Sequence, residues 1–278
     1  MSDHSSDDDH DDDLDHDDGD VATHWFEELA DHLGEAYLRY SFTKGTENEV
    51  DFLVDVLGLD HGDRVLDVGC GPGRHAHALG RRGIQVLGID ISERFVELAR
   101  VDAPPGVSFE RMDARALTFD AEFDAVISLC QGAFGLSAGG PALGSAPREL
   151  SDVLSSGAAA DPDAGVLDGM ARALRPGGRL AVSAFSAYFQ VRFLEDTDSF
   201  DASAGVNHER TVLRSPEGQE ATHDLWTTCF TPRELRLLAE RSGLKVRDLW
   251  SVTPGEYARR VPDLDHPEFL MVGLRPPG

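Results

Sequence analysis

The chain has 278 residues, 51 of them Asp or Glu and 25 Lys or Arg, for a formal charge of −26. That balance argues against nucleic acid as a partner, because a phosphate backbone is held by clustered basic side chains. No apolar run approaches the roughly 20 residues that span a bilayer. The three cysteines, Cys70, Cys130 and Cys229, lack metal-ligand spacing, so a reduced, cytoplasmic protein with no membrane and no structural metal is expected.

Residues 1–20 form an Asp/His/Ser run without hydrophobic periodicity and read as a disordered acidic tail, unlike a basic signal sequence. The histidines His4, His10 and His16 lie among aspartates there, but a metal site needs fixed geometry. Trp25 to Lys44 reads as one amphipathic cap helix, with Trp25, Phe26, Leu29, Leu33, Tyr37 and Tyr40 at helical spacing. Val65-Leu66-Asp67-Val68-Gly69-Cys70-Gly71-Pro72-Gly73 follows: a buried strand, an acidic residue, a glycine loop, then a helix from Arg74 to Arg82. Backbone approaches a ligand closely only where Cβ atoms are missing, so this order makes a small-molecule site. A dinucleotide fold wants G-x-G-x-x-G; here the spacing is G-x-G-x-G, and Asp67 would repel a pyrophosphate yet accept hydrogen bonds from an ammonium.

The string resembles motif I of the class I S-adenosylmethionine (SAM)-dependent methyltransferases. The resemblance extends over about Val50 to Arg275 and implies that Asp67, Gly69, Cys70, Gly71 and Gly73 meet the amino-acid half of SAM. A second apolar run ends at Asp90, which, with Ile91 beside it, is placed for the ribose hydroxyls. Helix-compatible Glu93 to Val101 follows, with Ser92 as its N-cap, and then a strand from Val107 to Arg111. The family implies that Met112, Asp113 and Ala114 flank the adenine. It also implies that Leu129, Cys130 and Gln131, after the fourth strand at Phe123 to Ser128, flank the sulfonium. Tyr37 is a candidate for the same neighbourhood, because aromatic faces attract cations.

The fold expected is Rossmann-like α/β, with a seven-stranded, mostly parallel sheet, helices on both faces and an antiparallel last strand. Residues 21–278 form its one domain, with 21–49 as the cap, a flexible insertion at 136–165 and a substrate-side β-hairpin insertion at 186–230. Within the last, Asn207 to Leu213 and Glu220 to Cys229 alternate around a Ser215-Pro216-Glu217-Gly218 turn. Leu174-Arg175-Pro176-Gly177-Gly178 is a structural turn before the fifth strand. A helix from Thr231 to Ser242 and strands at Leu244 to Val252 and Glu268 to Leu274 complete the fold.

The function expected is methyl transfer from SAM to oxygen or nitrogen of a small molecule, giving S-adenosylhomocysteine. A tRNA or protein methyltransferase is one alternative; a SAM-binding regulatory protein is another. Tyr40, Phe134 and Tyr188 are the candidate acceptor contacts. His208 and His223, with Glu209 and Asp224 near them, are candidate bases, histidine for its pKa; each also reads as an ordinary strand residue. His75 is placed to face the cofactor's carboxylate. There is no N/D-P-P-Y/F string and no Pro-Cys pair, and the oligomeric state is not legible.

Overall fold

A computed structural model describes residues 24–130, 132–137 and 161–278. The acidic tail, Gln131 and most of the 136–165 insertion lie outside these described residues. The central strands are β1 (Arg64–Val68), β2 (Gln85–Asp90), β3 (Val107–Arg111), β4 (Phe123–Ser128), β5 (Leu174–Ser186), β9 (Lys245–Val252) and β10 (Glu268–Leu274). They stand in the order β3-β2-β1-β4-β5-β10-β9. The first five pair in parallel, and β10 runs antiparallel to both of its neighbours.

The period-two pattern of these strands feeds both faces. Leu66, Val68, Val126, Leu180 and Val182 join a core with helices α5 (Pro162–Ala173) and α7 (Pro232–Arg241). Val65, Ala125, Ile127 and Ala181 point the other way, into a core with α2 (Thr46–Leu57), α3 (Arg74–Gly80) and α4 (Glu93–Arg100). A sheet covered on both sides explains why its strands read as nearly continuous apolar runs. Helix ends follow the expected chemistry: Ser92 Oγ accepts from Phe95 N–H, and Thr231 with Glu234 forms a capping box. Among the described residues, no helix is long and apolar enough to cross a membrane.

The expected single cap helix is shorter. Helix α1 (Trp25–Leu33) ends at Gly34, whose φ is +44° and whose N–H reaches Ala30 O; 3₁₀ turns at Gly34–Arg39 and Ser41–Thr43 carry the chain on. The hairpin insertion is present and larger than read. β7 (Val206–Arg214) and β8 (Glu220–Phe230) pair around the Ser215–Gly218 turn, and β6 (Asp198–Asp201) adds a third antiparallel strand. Short helix α6 (Ala187–Arg192) precedes it. Phe185 and Ser186 at the end of β5 pair in parallel with Cys229 and Phe230, which anchors the insertion at the carboxyl edge of the sheet.

That edge has a crevice where the strand order reverses, between β1 and β4. The main chains of the loops leaving these two strands meet at Gly69 and Gly132. A Cβ on Gly69 or on Gly132 would lie 2.0 Å from the other loop's main chain, and Gly69 has φ +73°. Gly132→Ala is therefore expected to cost roughly 1–3 kcal/mol or more by overpacking. Chemical denaturation measures it; an unchanged midpoint would mean that the loops yield freely.

Candidate functional site

Beyond the carboxyl ends of the strands lies a cavity of about 260 Å³. Its floor is Gly69, Gly71 and Asp90; Cys130, Gly132, Phe185 and Glu268 stand on the far side. The N-terminal cap closes one wall with Trp25, Phe26, Leu29, Leu33, Tyr37 and Tyr40, so their spacing survives the break at Gly34. The insertion supplies Glu209, Leu213, Leu225 and Thr227. A smaller cavity alongside is lined by Ile91, Asp113, Ala114, Arg115 and His24, among others.

Three carboxylates at this edge are almost fully buried. Asp90 Oδ2 accepts from Gly71 N–H at 2.8 Å and Oδ1 from Ser92 N–H at 2.9 Å, which ties the ends of β1 and β2 together. Burial raises its pKa to about 6 against the pull of those backbone donors. Asp67, 1% exposed, sits at the end of β1 with no hydrogen-bond partner for Oδ2; burial, with Asp90's charge added, raises it to about 7 although Arg74 pulls it down. Glu268 opens β10, and its Oε2 is likewise buried and unpartnered. Burial raises it to about 7, with Ser183 and Arg74 opposing and Glu49 assisting.

A second polar cluster lies beside them. Arg74, the first residue of α3, donates to Glu49 and, at 2.8 Å, to Cys130 Sγ. His75 Nε2 is 2.7 Å from the same Glu49 carboxylate. Burial and Arg74's charge push His75 below its ordinary pKa, so the neutral ring and the guanidinium together hold Glu49 ionised despite its burial. Glu49, His75 and Cys130 are close enough to bracket a metal ion, but the guanidinium already occupies two of these three groups.

The candidate residues divide by place. Tyr37, Tyr40, Gly69, Gly71, Asp90 and Cys130 line the main cavity, and Ile91, Asp113 and Ala114 the smaller one. Asp113 is already paired: Arg115 grips its carboxylate at 2.6–3.0 Å and holds its pKa down. Cys70 and Leu129 are packed in the core, Met112 lies against it, and Gly73 caps α3. Gln131 lies outside the described residues. Phe134, expected at the acceptor, lies in the core instead, fully buried, stacked on Phe230 at 4.8 Å and absent from the lining of the main cavity. Tyr188 is also displaced, 43% exposed on α6 against a separate surface hollow.

The candidate bases move too. His208 stacks on Trp226 and bonds Asp224 at 2.7 Å, while His223 faces His32. Neither lines the main cavity; Glu209, between them, does. His75 binds Glu49 and stays within the core. Sequence reading passed over Glu49, Arg74, Phe95, Phe185 and Glu268. Only Arg74, directly after the glycine loop, carried a local signal; the others are brought in by long-range pairing.

Residues 65–157 match a family model described as a methyltransferase domain. The chain is 32% identical over 175 residues to 27-O-demethylrifamycin SV methyltransferase of Amycolatopsis mediterranei, covering 58% of this chain and 55% of that protein. The chain thus spans about half the length of that relative. It is 28% identical over 209 residues to ubiquinone biosynthesis O-methyltransferase of Alkalilimnicola ehrlichii, covering 73% and 69%. Among solved structures, the CcbJ methyltransferase of Streptomyces caelestis superposes with a TM-score of 0.66 at 18% identity, over 91% of this chain and 96% of that one. SAM-bound CalS10, an amino pentose methyltransferase of Micromonospora echinaspora, does so at 0.56 and 21% identity, over 87% and 95%.

The buried carboxylates also set a pH dependence. Folded-state values raised to about 7 for Asp67 and Glu268 and about 6 for Asp90 mean that the native state binds more protons than the unfolded chain above about pH 4. Stability is then lost as pH rises toward and through about 7. The ligand-free protein is expected to melt higher near about pH 6 than near about pH 8, and Asp67→Asn to show a smaller drop. Equal drops in thermal melts would show that Asp67 is not the strained group.

Proposed function

We propose that the chain is a class I SAM-dependent methyltransferase and that it methylates oxygen or nitrogen of a small molecule. The observation that carries the reading is Asp67: a buried carboxylate with an unpartnered oxygen, two residues before the glycine loop whose Gly69 and Gly71 line the main cavity, suits a ligand bearing an ammonium. Asp90, on the cavity floor, has lone pairs left for two hydroxyls after its backbone bonds. Ile91, Asp113 and Ala114 line the smaller cavity, which we assign to the adenine. SAM brings a methyl group on a sulfonium; the protein's part is to hold that centre against the acceptor in line and without water.

The aromatic wall supports this division of labour. Rings at Tyr37, Tyr40 and Phe95 offer π-faces to a cation while excluding solvent. A small-molecule acceptor is favoured over tRNA because, among the described residues, no Lys, Arg or His lines the main cavity, whereas three carboxylates do. Residues 21–278 would form the catalytic domain, and the three free cysteines suit a reducing cytoplasm.

Calorimetric titration with SAM and with S-adenosylhomocysteine tests the foundation, and the folded protein is expected to bind both. Asp90→Ala should weaken SAM by roughly 1–3 kcal/mol, the usual effect of losing hydrogen bonds to a charged group. Unchanged affinity would move the ribose elsewhere. Transfer of labelled methyl from SAM into small-molecule extracts separates an enzyme from a binding protein.

A further inference from the structure

The main cavity is chemically one-sided. Among the described residues its walls are aromatic and aliphatic, its ionisable groups are Asp90, Glu209 and Glu268 besides the tyrosines and Cys130, and none of its lining side chains is cationic. An acceptor bringing a carboxylate or phosphate inside would meet like charge in an apolar setting. The three carboxylates are not equivalent. Both oxygens of Asp90 accept backbone N–H groups. Glu209 is half-buried on β7, in the insertion. Glu268 alone of the three has a buried oxygen with no partner.

Glu268 is also held rigidly. It starts β10, paired with Phe185 of β5 on one side and Val252 of β9 on the other, at the edge where the cavity opens. The groups facing it are Ser183 on β5, Glu49 from α2, Arg74 from α3, Cys130 after β4, Tyr37 from the cap and Tyr257 before β10. Arg74 is engaged with Glu49 and Cys130 and does not neutralise it. The two tyrosines and the cysteine are held protonated by burial, so Glu268 is left as the proton acceptor of this corner.

Building on the methyltransferase reading, we propose that Glu268 is the catalytic base, and that the acceptor is an uncharged, largely apolar compound methylated on a hydroxyl. The acceptor's O–H bond breaks and its proton passes to Glu268 Oε2. The oxygen's electron pair forms the bond to the methyl carbon, and the carbon–sulfur bond breaks with its pair remaining on sulfur. A carboxylate and a sulfonium are consumed, and a neutral carboxylic acid, ether and thioether remain. A group that titrates near about 7 suits this task, ionised often enough to accept a proton and basic enough to draw it.

The test uses the full chain, labelled SAM and three probe sets: para-alkyl phenols, para-alkyl benzoates and para-alkyl benzylamines. Phenols are expected to be methylated, with kcat/KM falling as pH drops through about 7, where Glu268 takes up its proton. Glu268→Gln should lower transfer by roughly 100-fold or more and abolish that acid limb, and Glu268→Asp should restore part of the rate. Calorimetry should find SAM affinity within about twofold of wild type in both variants, which also shows that they fold. Wild-type transfer rate and pH profile in Glu268→Gln would overturn the base. Transfer to benzoates or benzylamines in preference to phenols, or to no phenol by a wild type that binds SAM, would overturn the acceptor class. Failure of the wild type to bind SAM would instead remove the methyltransferase reading.

Discussion

Removing a carboxylate from water is costly unless something replaces the water, and at the carboxyl edge of this sheet the replacement is incomplete. Asp90 is compensated by two backbone donors, whereas Asp67 and Glu268 each keep an oxygen with no partner at all. The fold could relieve this by opening the loops to solvent. It does not, because the glycine loop after β1 and the loop after β4 are locked by backbone contact at Gly69 and Gly132. Buried strands on either side of that contact leave no slack, so the unspent charge persists as binding capacity for a cationic or hydrogen-bond-donating ligand.

Arg74 shows how the same edge separates a site that is complete from one that waits. Its guanidinium, at the first turn of α3, satisfies Glu49 and Cys130 together, with His75 completing the carboxylate's shell. A buried pair of this kind adds little net stability over apolar residues, but losing one partner strands the other and costs about 3–5 kcal/mol. It therefore fixes α2, α3 and the loop after β4 relative to one another. Glu49 Oε1 also takes the N–H of Gly255, which draws in the segment leading to β10. The position of Glu268 thus depends on a cluster that does not line the cavity floor.

How much of this was legible follows the range of the interactions. The α/β order, the glycine loop and the carboxylates ending β1 and β2 are local patterns, set by strand period and by the backbone geometry that glycine permits. Tyr37 and Tyr40 were readable because helical spacing keeps them on one side even where α1 gives way to 3₁₀ turns. Phe134 misled because an aromatic in a post-strand loop looks like a pocket residue, whereas stacking on Phe230, 96 positions away, buries it. His208 and His223 were singled out because histidine as a residue type suits a base, yet among the described residues it is Glu209, between them in sequence, that lines the main cavity. Glu268 had no local mark at all. It reads as the polar start of a hydrophobic strand, and only the antiparallel insertion of β10 beside β5 carries it to the site.

That late arrival has a physical logic. A base must sit close to the acceptor without being exposed to water, and a strand held by neighbours on both sides meets both demands better than a loop does. β10 is such a strand, and its first residue lies level with the end of β5, where the insertion begins. The insertion and the N-terminal cap, distant in sequence, then supply apolar cover over this platform. The proposed methyl transfer from a cationic donor to a neutral acceptor, with a carboxylate as base, would end with less charge than it began. A dry, low-polarity chamber favours a reaction that cancels charge, and on the proposed reading the burial that raises the pKa of Glu268 works in the direction of catalysis.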